Sequence, residues 1–347
     1  MLHGQDINLQ MRIGAPGSGS TPEVLLPRRE NPLARRDFGM WSVHLRRSEP
    51  GEMKDPLTDQ EFDKQKIMEN LHRHVETLSV KIGERHLWKE ESLHKAEEYI
   101  GSALSSYGYA TGRQTYSCYG KSVSNLIAEK TGSDPGIIVI GAHYDTVPGT
   151  PGADDNASGL AGLLELARLH QVIQSKRTII FVAFVNEEPP CFGSFHMGSM
   201  IYANYLKEQG IPIEVMISLE MIGYFRQERI QKYPLPGMGF CYPKTGDYIG
   251  VVGNFRSSRY VSFVKKGIRR HSNIRVRALT APEFFGGINL SDNYSFWHHG
   301  YRAVMVTDTS FFRNMNYHLE TDTIDTLNFD KMAEVVKGLH KTLLEGW

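Results

Sequence analysis

Short uninterrupted apolar runs bounded by Gly and Pro alternate along this chain with longer stretches whose apolar residues recur at helical spacing. The runs ending at Ile140, Val185 and Leu219 are too short for helices, and they predict strands of a parallel sheet covered on both faces. Between them, residues 159–172 place Leu160, Leu163, Leu164 and Ala167 on one helical face, and residues 197–208 read as a second helix. Two amphipathic helices, over 59–80 and 91–106, precede strand-like segments near Thr115 and over 124–129. Later come a strand over 249–252, a helix over 256–271 and a strand over 303–306. A closing helix over 329–344 has Met332, Val335, Val336 and Leu339 on one face. Such alternation predicts an α/β fold, a mostly parallel twisted sheet with helices on both faces.

Residues 1–56 break the pattern, being rich in Gly, Pro, Ser and Arg without a sustained period, and they read as an extended or disordered arm before a domain over 57–347. With 347 residues and 40% hydrophobic content, the chain can bury one large core. Its formal net charge of +0 supplies no global basic field for nucleic acid, and the Arg pairs of the arm read as solvated. No apolar stretch reaches the roughly 20 residues that span a bilayer. The arm lacks the apolar core of a signal peptide, so a cytoplasmic location is expected, with no membrane partner. Of Cys118, Cys191 and Cys241, one pair at most can join, and nothing requires that it does.

Chemistry gathers where the predicted strands end. The segment GAHYDTVPGTPGADDNASG, residues 141–159, sets His143 and Asp145 on one side of the exiting chain by period-two alternation. That spacing suits an imidazole metal ligand with a carboxylate near it to orient it. Asp154 and Asp155 follow just ahead of the helix at 159, where Asp, Asn and Ser can cap its first turn. The run from 178 ends in Glu187 and Glu188, whose side chains point in opposite directions in extended chain, so one can bind a metal while the other addresses a water. Glu220 interrupts a third apolar run, where a lone carboxylate is costly to bury unless paired or metal-bound. His318 stands beside a Thr/Asp-rich turn in NYHLETDT.

These five motifs, in this order from about residue 60 to the C-terminus, resemble the zinc aminopeptidases of the M28 type. The resemblance implies two zinc ions bridged by Asp155, one held by His143 and Glu220 and the other by Glu188 and His318. It implies Glu187 as general base, with Asp145 beside it in the catalytic set, and a metal-bound hydroxide attacking the scissile carbonyl. It also implies a cis peptide after Asp155, and it favours Asp155 over the adjacent Asp154 as the bridge. Three positions depart from the common pattern: Asn293 follows Ser291-Asp292 where His is frequent, Arg302 stands where Pro is frequent, and Glu220 replaces a frequent Asp.

The implied activity is hydrolysis of N-terminal residues from a peptide with a free N-terminus. Met221, Phe225, Tyr242, Phe284, Phe285, Phe311 and Phe312 are candidates for a pocket wall that prefers apolar N-terminal residues. Glutaminyl cyclase chemistry with one zinc, and a non-catalytic binding role, are the alternatives of the same fold.

Overall fold

The computed structural model describes residues 10–13 and 63–346. Two helices open the described body: α1 (Lys64–Val75), continued as a wider turn over Glu76–Ile82, and α2 (Glu90–Ser106). Asp63 caps α1 by accepting the Lys66 N–H at 3.0 Å. The predicted first helix is therefore present, although residues 59–62 lie outside the described residues. Most of the arm over 1–56 also lies outside them. From it, β1 (Gln10–Ile13) pairs antiparallel with β2 (Thr111–Cys118), which forms a hairpin with β3 (Lys121–Lys130).

Then follow β4 (Ile137–His143), α3 (Gly159–Gln171), β5 (Thr178–Phe184), α4 (Gly198–Glu208) and β6 (Val215–Glu220). The β6 residues are buried throughout, as are those of β4 and β5 after the first position of each, which suits central strands covered on two faces. The chain goes on through α5 (Met238–Cys241), β7 (Tyr248–Asn254), α6 (Ser258–His271), β8 (Arg275–Ala281), α7 (Asn293–His298), β9 (Ala303–Thr307) and α8 (Phe329–Glu345). Neither β8 nor α7 was legible in the hydrophobic pattern.

One nine-stranded sheet results, in the order β1-β2-β3-β5-β4-β6-β9-β7-β8. Its centre, β5-β4-β6-β9, is parallel, as expected from the alternation. Antiparallel pairing joins β3 to β5 on one side and β7 to β9 on the other, while β7 and β8 are parallel to each other. Residues of α1, α2, α3, α6 and α8 share one apolar core, and those of α4 and α7 share the other. Burying Leu163 or Leu164 on the α3 face contributes about 1.5–3 kcal/mol each.

The order also locates the site. From β4 the chain crosses through α3 to β5 on one side, and from β5 it crosses through α4 to β6 on the other side of β4. Such a reversal opens a crevice beyond the carboxyl ends of the strands, where open α/β sheets bind ligands.

Candidate active site and metal centre

Five strand ends and loops converge in that crevice. His143 closes β4, Glu220 closes β6, Glu187 and Glu188 follow β5, Asp155 precedes α3, and His318 lies in the connection from β9 to α8. His143 Nε2 is 3.4 Å from Asp155 Oδ1 and 3.4 Å from Glu220 Oε2. His318 Nε2 is 3.2 Å from Asp155 Oδ2 and 3.3 Å from Glu188 Oε2. Asp155 thus offers one oxygen to each of two three-residue groups.

The donor set fits zinc on two counts. Tetrahedral zinc with bonds of about 2.0–2.1 Å holds its ligand atoms roughly 3.3 Å apart, which is the spacing found here. In addition, His143 Nε2, His318 Nε2 and Glu188 Oε1 are buried without a hydrogen-bond partner among the described residues. Leaving such an atom unsatisfied costs about 1–3 kcal/mol, and a cation in each group would satisfy the two imidazole nitrogens. A further grouping joins His143, Glu187 and Glu188, with Glu187 Oε2 3.9 Å from His143 Nε2. Geometry alone therefore leaves Glu187 free to be a ligand or a base.

The surrounding hydrogen bonds explain why these side chains hold their places. The Asp145 carboxylate accepts the N–H groups of Glu187 and Glu188, each at 3.1 Å, tying the end of β5 to the end of β4. The reading from spacing placed this carboxylate on the imidazole, but His143 Nδ1 is nearer the Asp145 main-chain oxygen, at 3.2 Å, than the carboxylate, at 3.6 Å. Two amide donors outcompete the ring for it. A proton on Nδ1 directed at the carbonyl leaves the Nε2 lone pair for a metal.

Asp155 and Asn156 are joined by a cis peptide, as the resemblance implied. The Asn156 amide then donates to Leu219 O at 2.9 Å and accepts from Met221 N at 3.0 Å and Gly159 N at 3.1 Å, so it caps α3 and fastens it to β6. Gly159 is dictated by that closeness, because a Cβ there would lie 2.2 Å from Asn156 Oδ1 and 2.4 Å from Leu219 O. Asp154 turns away from the groups, accepting from Gly223 N at 3.0 Å and Asn314 Nδ2 at 2.7 Å. Left-handed backbone at Asn186, Met221 and His318, uncommon for such residues, directs the chain at or beside three of the site carboxylates and imidazoles.

Several contributors escaped the sequence reading. Ser291 donates to Glu220 Oε2 at 2.7 Å. Asp322 accepts the N–H groups of Asp154 and Asp155, both at 3.0 Å. Arg85, wholly buried, donates to the main-chain oxygens of Tyr144, Pro151 and Gly152, bracing both segments that carry the first motif. Nothing in the local sequence marks an arginine for such a role. The Ser291-Asp292 pair was visible as a motif, yet its contact with Glu220 crosses 71 residues.

Beside the groups opens a cleft whose lining includes Glu220. Tyr242, Phe311 and Phe312 line it, as expected of the aromatic wall. Met221 and Phe225 do not, being buried, while Phe284 is exposed and Phe285 packs on the second core. Asn293, one of the departures from the family pattern, is buried and donates to the main-chain oxygen of Ile288, a cleft residue, at 2.8 Å.

Without metal the groups are mutually strained in charge. Burial and the charge of Asp155 push Glu188 up to about 8. Burial and Asp154 push Asp322 up to about 8. Burial lowers His318, but Asp155 and Glu188 raise it overall to about 10. All three are raised in the folded state, so their contribution to stability is complete below the unfolded values and is lost as pH climbs through the folded ones. Asp155 alone runs the other way, held below its usual range by His143 and His318 against burial. The chelated protein is therefore expected to melt at a lower temperature at pH about 9 than at about 5, and the gain on adding zinc to grow over that range. Calorimetry with and without chelator checks this; a zinc gain that shrinks as pH rises would contradict it.

The model of peptidase family M28 matches residues 125–343. The chain belongs to peptidase family M28. Membership makes it a metallopeptidase, of the hydrolase class, with zinc the metal the family implies. It is 41% identical over 281 residues to the uncharacterised protein YfbL of Escherichia coli, covering 78% of this chain and 86% of that one. It is 27% identical over 264 residues to the probable leucine aminopeptidase 1 of Trichophyton verrucosum, covering 72% of this chain and 64% of the relative, so it spans just under two thirds of that protein. Among solved structures, the LapA aminopeptidase of Legionella pneumophila superposes with a TM-score of 0.66 at 21% identity, covering 87% of this chain and 77% of its own. A glutaminyl cyclase of Fimbriiglobus ruber superposes at 0.58 and 19%, covering 86% and 99%. At such identities these two superpositions show the shared M28 fold alone.

Proposed function

We propose that the chain is a di-zinc aminopeptidase that removes N-terminal residues from peptides, with Glu187 as general base. The observation that carries this reading is the pair of three-residue groups sharing Asp155, with Glu187 Oε2 3.9 Å from His143 Nε2 beside them. His143, Asp155 and Glu220 would hold one zinc, and Glu188, His318 and the other oxygen of Asp155 the second. Bound there, the metals supply a polarised carbonyl and a water whose pKa falls to about 7. Two dications also balance the three ligand carboxylates and one negatively charged oxygen, removing the repulsion among the buried acids.

The chain's own residues then do the rest. The Glu187 carboxylate takes a proton as the water oxygen bonds to the scissile carbonyl carbon, and it gives that proton to the amine nitrogen as the carbon–nitrogen bond breaks. Asp145 is a positioning residue, since its two carboxylate oxygens accept the main-chain N–H groups of Glu187 and Glu188 and fix that backbone. Tyr317, stacked on His318 with ring centroids 3.7 Å apart, restrains the half-exposed ligand.

Elemental analysis of protein purified without chelator, with hydrolysis of leucine p-nitroanilide, tests the reading. Near two zinc ions per chain are expected, with cleavage of the free-amine substrate and none of its N-acetyl form. One zinc per chain, no hydrolysis, and pyroglutamate from an N-terminal glutamine peptide would replace it with a cyclase.

A further inference from the structure

The cleft beside the metal groups has a floor built from one face of four adjacent strands. Glu220 of β6 pairs with Thr307 of β9, Thr307 with Gly250 of β7, and Gly250 with Arg277 of β8. Residues directly opposite in a sheet share a face, and strands lie about 4.8 Å apart, so Arg277 stands roughly 14 Å across the floor from Glu220. Between them Gly250 adds no side chain, which keeps the floor open.

Several of the other polar side chains that line the cleft are engaged. Tyr242 Oη donates to Ala278 O at 3.0 Å, and Tyr233 Oη donates to Pro243 O at 2.5 Å. Lys232, at the exposed mouth, has its Nζ 3.7 Å from Met315 Sδ. Arg277 differs. Two residues earlier on the same strand, Arg275 donates through Nη1 to both Asp247 oxygens, at 2.8 and 2.7 Å, as suits an edge-strand charge. Among the described residues, Arg277 donates only to the main-chain oxygen of its neighbour Val276, at 3.2 Å, and no carboxylate pairs with it. A half-buried guanidinium in an apolar cleft, with its fork unfilled, fits a planar oxyanion brought by a ligand.

We propose that Arg277 is a specificity-determining residue that binds a carboxylate of the substrate, at the end of the cleft remote from Glu220. The apolar lining would take the stem of the residue and the guanidinium its charged end. This rests on the cleft being the substrate site of an aminopeptidase. The carboxylate comes either from an acidic N-terminal side chain or from the free C-terminus of a dipeptide, and two substrate pairs separate these sources.

Glutamyl against glutaminyl p-nitroanilide isolates the side-chain source, and Leu-Gly against leucyl-glycinamide isolates the C-terminal one. The zinc-loaded enzyme should show a kcat/KM at least about tenfold higher for the carboxylate member of one pair, the size expected of a charge-assisted fork. Arg277→Met should bring that ratio near one, and Arg277→Lys, which keeps charge without the fork, should retain part of it. Zinc content and thermal unfolding verify that each variant is folded. Turnover of all four compounds with ratios near one, or ratios untouched by Arg277→Met, would overturn the proposal and leave the aminopeptidase reading standing. Should nothing turn over, calorimetric titration of the same pairs decides. Carboxylate-dependent binding lost in Arg277→Met keeps the site and discards the aminopeptidase reading, whereas equal or absent binding discards both.

Discussion

Glu187→Gln is expected to lower the turnover of a leucyl amide by about two to four orders of magnitude while zinc content stays at the parent value. The substitution is nearly isosteric, leaves the main-chain N–H of Glu187 on Asp145, and removes only the capacity to carry a proton. Its carboxylate is buried, and burial raises it well above its ordinary range, an effect to which Glu188, Glu220 and Asp292 add and His143 opposes. Metal binding turns that balance toward the ionised form a base requires, since two dications outweigh the neighbouring acids. Because Glu187 also lies within reach of the His143 and Glu188 grouping, the zinc measurement decides between the two roles. Loss of a zinc with loss of activity would make Glu187 a ligand; near-complete activity with both zinc ions would leave the base elsewhere.

The split between what the sequence revealed and what it hid has physical causes. Four of the candidates were legible because they end or follow buried strands, which are marked by their own apolar runs: His143 by β4, Glu187 and Glu188 by β5, Glu220 by β6. Periodicity then fixed α3 and α8, whose inward faces are continuous. By contrast β8 reads RVRALTA, an edge strand with charges and small residues, and α7 is six residues long, too short to show a face. The aromatic wall was half right for a related reason. Phe284 and Phe285 are neighbours in a loop without period, and which of them meets solvent is settled by contacts far away in the chain. Arg85 and Asp322 act through bonds across some 60 to 170 residues, and no local pattern announces them; Asn156 was legible as a cap of α3 but not as its tie to β6, 63 residues away. Cys118 and Cys191, separated by 73 residues, likewise meet in the interior as free thiols with sulfurs 3.6 Å apart, near the loop that carries Glu188.

Asp155→Ala should remove bound metal altogether rather than slow a bound-metal enzyme. The adjacent aspartate cannot substitute in this arrangement. Asp154 has both oxygens engaged, by Gly223 N and Ser158 Oγ on one and Asn314 Nδ2 on the other, and its buried neighbour Asp308 together with burial holds it well above the ordinary carboxylate range. Asp155 supplies one oxygen to each imidazole Nε2, at 3.4 Å and 3.2 Å, so deleting it takes the common corner from both groups at once. Each remaining pair, His143 with Glu220 and His318 with Glu188, has two protein ligands, below the three that catalytic zinc sites ordinarily keep. The expected result is fewer than one zinc per chain by elemental analysis, hydrolysis at background, and loss of the zinc-dependent rise in melting temperature. Asp155→Asn, which preserves shape but weakens charge, should fall between the parent and the Ala variant in zinc affinity by chelator competition. Two zinc ions retained by Asp155→Ala would transfer the bridge to Asp154 and require the turn ahead of α3 to rearrange when metal binds.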